Sequence, residues 1–309
     1  MPRRPTRALL AALLTALCLV TATIPALAGD RPQPVKQPTA TGTGGAIATV
    51  DLDASAAGLE VLRKGGNAVD AAVAAAATLG VTEAYSAGIG GGGFMVIYLA
   101  GKRRVVTIDG RETAPAAFRE DSFIDPATGE PIPFAERVTS GLGVGVPGTV
   151  ATWQRALRRY GTRPLGKLLA PAIRVAERGF VVDQTFSDQT AVNAARFAAF
   201  PATAELFLPG GAPPAVGSVL RNPDLAGTYR LLARHGTFPF YRGRIAEAIA
   251  DTVQDPPVDP ASTLNVRPGL MTEADLAAYR VLDRPPTRVR YRGHQVYGMG
   301  PPSSGGSTV

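Results

Sequence analysis

The stretch 88–115, GIGGGGFMVIYLAGKRRVVTIDGRETAP, constrains the fold of this chain more than any other. Its glycine run leaves several consecutive positions without a Cβ, so that another backbone or a ligand can approach closely. Phe94 to Leu99 and Arg104 to Asp109 are β-branched, aromatic or aliphatic for the most part, and residues 100–103 between them include a glycine. That pattern predicts a β-hairpin. Arg111 then falls just past the second strand, between Gly110 and Glu112. If the hairpin is central, a rigid scaffold holds a planar guanidinium where a carboxylate can dock.

Gly88, Gly90 and Gly93 also satisfy G-x-G-x-x-G. A dinucleotide site needs a strand before that motif and a helix after it, so that pyrophosphate meets the helix N-terminus. Here the order is reversed, which argues against a nucleotide cofactor.

Upstream, Ala46 to Val50 reads as a short apolar strand, and Asp51 or Asp53 can cap a helix running to about Lys64, closed by Gly65 and Gly66. Asn67 is placed to cap a second helix from Ala68 to about Leu79, almost entirely alanine and valine and therefore buried. Asp70 in its first turn reads as an acid favoured by the helix dipole rather than a catalytic group. After the hairpin come a loop of about thirty residues, a second glycine-rich segment at 141–148, and a helix from Thr149 to Tyr160 with Trp153 in the core. Further helices are expected near 165–178, 190–200, 225–235 and 242–253, able to cover one face of a sheet. Residues 254–270 form a proline-rich loop, Thr272 caps a short helix to Tyr279, and 288–291 with 295–299 return to strand. A glycine-serine turn after a strand ordinarily opens another element, so the chain reads as a fragment.

Residues 1–28 have a basic start (Arg3, Arg4, Arg7), an apolar run from Ala8 to Val20, and a small-residue end at Ala26-Leu27-Ala28. This is the layout of a secretory signal peptide; a membrane anchor fits less well because the run is short. Residues 29–44, rich in proline and polar side chains, form a flexible leader. The signal region holds three arginines and no acid, which brings the net charge from +7 down to +4 for the mature chain. That mild balance, without clustering, does not argue for nucleic acid. The one cysteine, Cys18, lies in the same region, so the mature chain has no disulfide, thiol nucleophile or thiolate metal site.

Chemistry-bearing residues are sparse. G-x-S-x-G is absent, and His235 and His294 show neither a catalytic partner nor a metal-ligand spacing. Arg111 is the residue with a sharp hypothesis, a carboxylate grip. The competing reading is a solvated surface charge, because the chain is rich in arginine and has only four lysines.

Five segments in order, KGGNAVDAAV (64–73), GIGGGGFM (88–95), DGRETAP (109–115), GVPGTVA (145–151) and PPSSGG (301–306), resemble the large subunit of the γ-glutamyltransferases, also called glutathione hydrolases. The helix ending in DLAAY at Tyr279 is similar to the family pattern too. The resemblance covers the chain from about Gly45 to its last residue and makes 45–309 a large-subunit region.

It implies an N-terminal-nucleophile hydrolase fold, a mixed α/β architecture in which two stacked antiparallel sheets are sandwiched by helices, incomplete here without the small subunit. In that family a precursor cuts itself, and the new N-terminal threonine of the small subunit attacks a γ-glutamyl amide, with its own α-amine as base. Water or an amino acid or peptide acceptor then takes the γ-glutamyl group, so the implied partners are glutathione, other γ-glutamyl donors, such acceptors and the small subunit. No cofactor or metal is implied.

Arg111 corresponds to the arginine that grips the donor's α-carboxylate. The catalytic threonine is expected beyond Val309, Thr308 lying too far upstream to serve. Many members carry phenylalanine where this chain has Gly110, and losing that side chain is expected to loosen the pocket while leaving the fork. Two other readings stay open: a same-fold enzyme acting on poly-γ-glutamate or acylated β-lactams, and a non-catalytic secreted binding fragment.

Overall fold

The computed structural model describes Lys36 and residues 38–308. The signal-peptide region, Cys18, most of the leader before residue 38 and Val309 lie outside the described residues.

Helix α1 (Leu52–Arg63) starts where Asp51 accepts the Ala54 amide, and α2 (Ala68–Thr82) starts at a reciprocal capping box between Asn67 and Asp70. Residues 46–50 form no strand, contrary to the sequence expectation. Among the described residues no strand pairs with them, and Ile47 packs on the core over Gly58, where a Cβ would come within 2.0 Å of its Cδ1. Helix α2 runs three residues past the expected end. Its alanine-rich surface is buried nearly all round, which lets it pack closely against α1 and against the helix over Leu165–Arg178.

Asp70 does more than cap. Fully buried, it accepts hydrogen bonds from the Asn67 amide (2.9 Å), the Thr162 amide (2.9 Å) and hydroxyl (2.6 Å), and the Arg163 amide (3.2 Å). It thereby ties α2 to the turn at Thr162 and Arg163. Burial by itself would raise its carboxyl pKa, but the accepted hydrogen bonds outweigh burial and hold it below the ordinary 3.8.

Asp70→Ala orphans several donors at once, and we expect it to lower the free energy of unfolding by about 2–4 kcal/mol at neutral pH. Because the folded state depresses this pKa, the contribution is fully present above the ordinary carboxylate value and is lost as pH falls through the lower folded value. Urea titrations at neutral and acid pH should therefore show the gap between parent and variant narrowing on the acid side. A variant within about 0.5 kcal/mol of the parent at pH 7 would remove Asp70 from this role.

After the short α3 (Ala84–Ala87), β1 (Gly93–Leu99) and β2 (Arg104–Gly110) form the expected hairpin, with Gly93 opposite Gly110 and Leu99 opposite Arg104. The long loop after it holds a short helix, α4 (Phe134–Arg137). Then α5 (Thr149–Tyr160) and α6 (Leu165–Arg178) take the bounds expected from sequence, and Trp153 is in the core as expected.

A two-residue strand, β3 (Phe180–Val181), precedes α7 (Gln184–Ala198), which begins earlier than expected because Asp183 accepts the Phe186 amide and fixes the start. There follow α8 (Pro201–Phe207), β4 (Val219–Leu220, paired with β3), α9 (Pro223–His235), α10 (Phe238–Arg242) and α11 (Arg244–Gln254). Tyr229 of α9, fully buried, donates to the Ala77 carbonyl of α2 at 2.8 Å and fastens the helical layer.

The C-terminal part holds α12 (Glu273–Ala278), β5 (Leu282–Arg284), the hairpin β6 (Thr287–Tyr291) with β7 (His294–Gly298), and α13 (Gly305–Thr308), a single helical turn made by the glycine-serine stretch itself. β5 joins β2 antiparallel, with Asp109 opposite Leu282, giving the sheet order β1-β2-β5.

The fold is therefore mixed α/β, with helices on one face of an antiparallel sheet. Met95, Ile97 and Ile108 of that face pack on Ala156, Leu157 and Tyr160 of α5. By register Val96, Tyr98 and Leu282 fall on the other face, and all three are exposed. β2 becomes buried toward its end, from Thr107 to Gly110. The chain thus emerges at Arg111 from a fixed strand. Among the described residues no helix is long and apolar enough to cross a membrane.

Candidate functional site

The two glycine-rich segments turn out to approach each other. The Gly91 carbonyl accepts from the amides of Gly148 (2.9 Å) and Thr149 (3.1 Å), so the first amides of α5 are already bound to the glycine run. The run is preceded by a helix and followed by a strand, as read from sequence.

Glycine is required where these segments meet β2. A Cβ on Gly92 would lie 2.5 Å from the Gly110 carbonyl oxygen, and one on Gly148 would lie 1.9 Å from that same oxygen. A Cβ on Gly110 would lie 1.6 Å from Thr152 Oγ1. The space beside the arginine is therefore filled by Thr152, whose hydroxyl donates to the Gly148 carbonyl at 2.9 Å. The space that a side chain at 110 would take is thus occupied from α5.

Arg111 leaves this packed junction with its backbone held on both sides. Its amide donates to Asp109 Oδ1 (3.0 Å), and its carbonyl accepts from the Tyr279 hydroxyl (2.8 Å). Asp109, with its side chain only 5% exposed, receives Arg284 Nε of β5 on its other oxygen at 2.5 Å. Past Arg111, Thr113 pairs with Val146 through reciprocal backbone bonds, and the Ala116 amide donates to Asp275 Oδ1 at 2.8 Å.

The Tyr279 ring stacks on Tyr241, with centroids 5.9 Å apart and planes at 11°. The Tyr241 hydroxyl donates to the Pro147 carbonyl (2.9 Å) and accepts from the Ala151 amide (3.1 Å). Burial pushes the Tyr279 phenol pKa well up, and the charges of Asp109 and Glu112 add to the shift. Burial does the same to Tyr241. Both hydroxyls stay protonated donors across the physiological range.

The Arg111 side chain is 59% exposed, and its Nε lies 3.1 Å from Glu112 Oε2. Among the described residues no other carboxylate pairs with the guanidinium, which leaves its two terminal nitrogens as a fork for a planar anion. The anchored backbone and the free fork together suit carboxylate recognition.

Of the nearby hydroxyls, that of Thr152 donates to a backbone carbonyl and so does that of Tyr279. Neither is set against a base. His235 ends α9 and His294 opens β7, as expected from sequence. No group of His, Cys, Asp or Glu among the described residues could hold a metal ion.

Three clefts lie elsewhere: one beside Asp51 and Glu83, one of about 500 Å³ between Tyr85 and Phe200, and one of about 670 Å³ between α9 and α11. None of the three includes Arg111, which stands on an open ledge. Sequence reading singled out Arg111 but missed Tyr279, Arg284 and Tyr241 as its supports. The DLAAY helix end was the available signal, and nothing in it points 168 positions back to the Arg111 carbonyl.

The family model described as gamma-glutamyltranspeptidase matches residues 54–309. The glutathione hydrolase proenzyme of Bacillus subtilis (strain 168) is 42% identical over 265 residues, which are 86% of this chain and 43% of that one. The Acylase ACY 1 proenzyme of Pseudomonas sp. (strain V22) is 40% identical over 271 residues, 86% of this chain and 46% of that one. Among solved structures, the γ-glutamyltranspeptidase of Helicobacter pylori superposes with a TM-score of 0.79 at 35% identity, over 87% of this chain and 74% of that chain. The chain spans less than half the length of the two curated relatives.

Proposed function

Because this chain belongs to the γ-glutamyltranspeptidase family, we propose that it supplies the donor-binding half of a γ-glutamyl transfer site, in which Arg111 grips the donor's α-carboxylate. One observation carries the reading: a guanidinium on a backbone pinned at its amide and carbonyl, with its terminal nitrogens uncommitted. Two parallel N–H donors to a carboxylate fix the donor in position and in angle, so that the γ-amide is presented to a nucleophile at one place.

The nucleophile is proposed to be the N-terminal threonine of a second subunit released from the same precursor, and the relatives' being proenzymes supports that maturation. The attacking hydroxyl forms a γ-glutamyl ester as the amine leaves, and water or an amino acid or peptide acceptor then breaks that ester. Glutathione is the proposed physiological donor. The exposed face carrying Val96, Tyr98 and Leu282 is proposed to receive the second sheet of the sandwich. Residues 1–28 are proposed to direct export, with 29–44 as a leader and 45–309 as the large-subunit region.

The acylase relative makes a second donor class worth an explicit arm, since its identity to this chain is nearly that of the glutathione hydrolase. The complete precursor should be offered γ-glutamyl-p-nitroanilide, glutathione, poly-γ-glutamate and an acylated β-lactam. Turnover of the two small γ-glutamyl amides, stimulated by a dipeptide acceptor, is the expected result. Turnover of the β-lactam alone would replace the γ-glutamyl reading with the acylase one.

A further inference from the structure

We infer that Tyr279 is a positioning residue for Arg111, with α12 acting as a splint along the segment that carries it; this rests on the donor-binding reading above. The splint is visible at both ends of the segment. Asp275 of α12 accepts the Ala116 amide at 2.8 Å, and Tyr279, just past the helix, donates to the Arg111 carbonyl at 2.8 Å. A few residues on, Arg284 of β5 holds Asp109, which in turn holds the Arg111 amide. The stretch 275–284 thus clamps 109–116 at three points, one of them the peptide that sets where Arg111 points.

The helix itself is fixed independently of that segment. Thr272 and Asp275 form a reciprocal capping box, and Arg242 donates to the Ala277 carbonyl at 2.9 Å. The Tyr279 ring is seated on Tyr241, whose hydroxyl is committed to Pro147 and Ala151. The approach of the Tyr279 hydroxyl also depends on Gly148, where a Cβ would come within 2.2 Å of it. The phenol oxygen thus reaches the Arg111 carbonyl through a gap that only glycine leaves open.

A plain core tyrosine is the competing account, and the ring alone would fit it. The hydroxyl does not, because phenylalanine would fill the same volume and its one partner would be lost. A guanidinium stands roughly 6 Å from its own Cα, so a backbone tilt of about 10° carries it through about 1 Å. Displacements of that size are large enough to spoil a bidentate contact.

The test uses the complete, matured protein and initial-rate kinetics with γ-glutamyl-p-nitroanilide. Tyr279→Phe should lower donor kcat/KM by roughly three- to tenfold, mainly through KM, with the acceptor KM unchanged and the thermal midpoint lowered by only a few degrees. In an Arg111→Ala background the same substitution should have no further effect on donor kcat/KM, since its influence travels through Arg111. Independent, multiplying losses would overturn the inference, as would an unchanged donor KM in Tyr279→Phe where Arg111→Ala raises it. An unchanged donor KM in Arg111→Ala alone would instead remove the donor-binding reading. If Tyr279→Phe fails to mature, Asp275→Asn, which weakens the clamp at Ala116, is put through the same cycle with the same two deciding outcomes.

Discussion

Arg111→Ala in the complete protein is expected to lower kcat/KM for γ-glutamyl donors by roughly 30- to 4,000-fold, equivalent to about 2–5 kcal/mol. The range is that of a charged hydrogen-bonded pair held away from water. On the ledge formed by this chain alone the arginine is 59% exposed, and an ion pair there is worth only about 0–1 kcal/mol. The size of the effect therefore reports whether the rest of the protein closes over Arg111. A loss under about fivefold would mean that the donor carboxylate stays solvated and that Arg111 does not set affinity. The loss should be much the same across γ-glutamyl donors with different leaving groups, because the contact is to the part they share.

Arg111→Lys keeps the charge and should recover only part of the loss, since an ammonium cannot present two parallel donors.

The local parts of this site were legible in the sequence, and its assembly was not. The hairpin, α5 and α6 follow from hydrophobic period and punctuation, and the structure gives them nearly the bounds those signals imply. Asp51, Asn67 and Thr272 cap helices as their positions suggest, because capping is a contact within three residues. Where the reading failed, a distant partner decided. Residues 46–50 have strand-like composition, but Ile47 is claimed by the groove at Gly58. The Asp183 cap lies within reach of the same local rule, being a contact across three residues.

The glycines illustrate the limit more sharply. Sequence says that something comes close to Gly92, Gly110 and Gly148, and only the fold says that they come close to one another. Likewise, the acid beside an arginine could be read as a charge pair within the tetrad 109–112. In the structure Asp109 turns to the Arg111 amide and to Arg284, and Glu112 alone faces the guanidinium. Arg111 was identifiable because its setting is local, a strand end preceded by glycine. Of its supports, Asp109 is local, but Tyr241, Tyr279 and Arg284 come from segments more than 100 positions away, which hydrophobic period cannot register.

The 309-residue chain by itself is expected to release no p-nitroaniline from γ-glutamyl-p-nitroanilide above the uncatalysed rate. A transfer site needs a nucleophile with a base within hydrogen-bonding reach, and the hydroxyls of Thr152 and Tyr279 beside the Arg111 backbone are spent on backbone carbonyls. Binding a donor at one end does not activate its amide at the other; a carboxylate clamp lowers the barrier only when the reacting groups are held in the same frame.

The chain should nonetheless show its half of the work. Supplied in trans with the segment that the curated relatives carry beyond the matched region, it should yield turnover that Arg111→Ala diminishes. Turnover by the 309-residue chain alone, lost on Arg111→Ala, would place a nucleophile inside these residues and overturn the division of labour proposed here. Turnover indifferent to Arg111 would point to a contaminating hydrolase. The first outcome is opposed by specific geometry: Thr152 is buried against Gly110, the residue before the arginine, and its hydroxyl donates to Gly148, so it cannot attack without dismantling the junction from which Arg111 emerges.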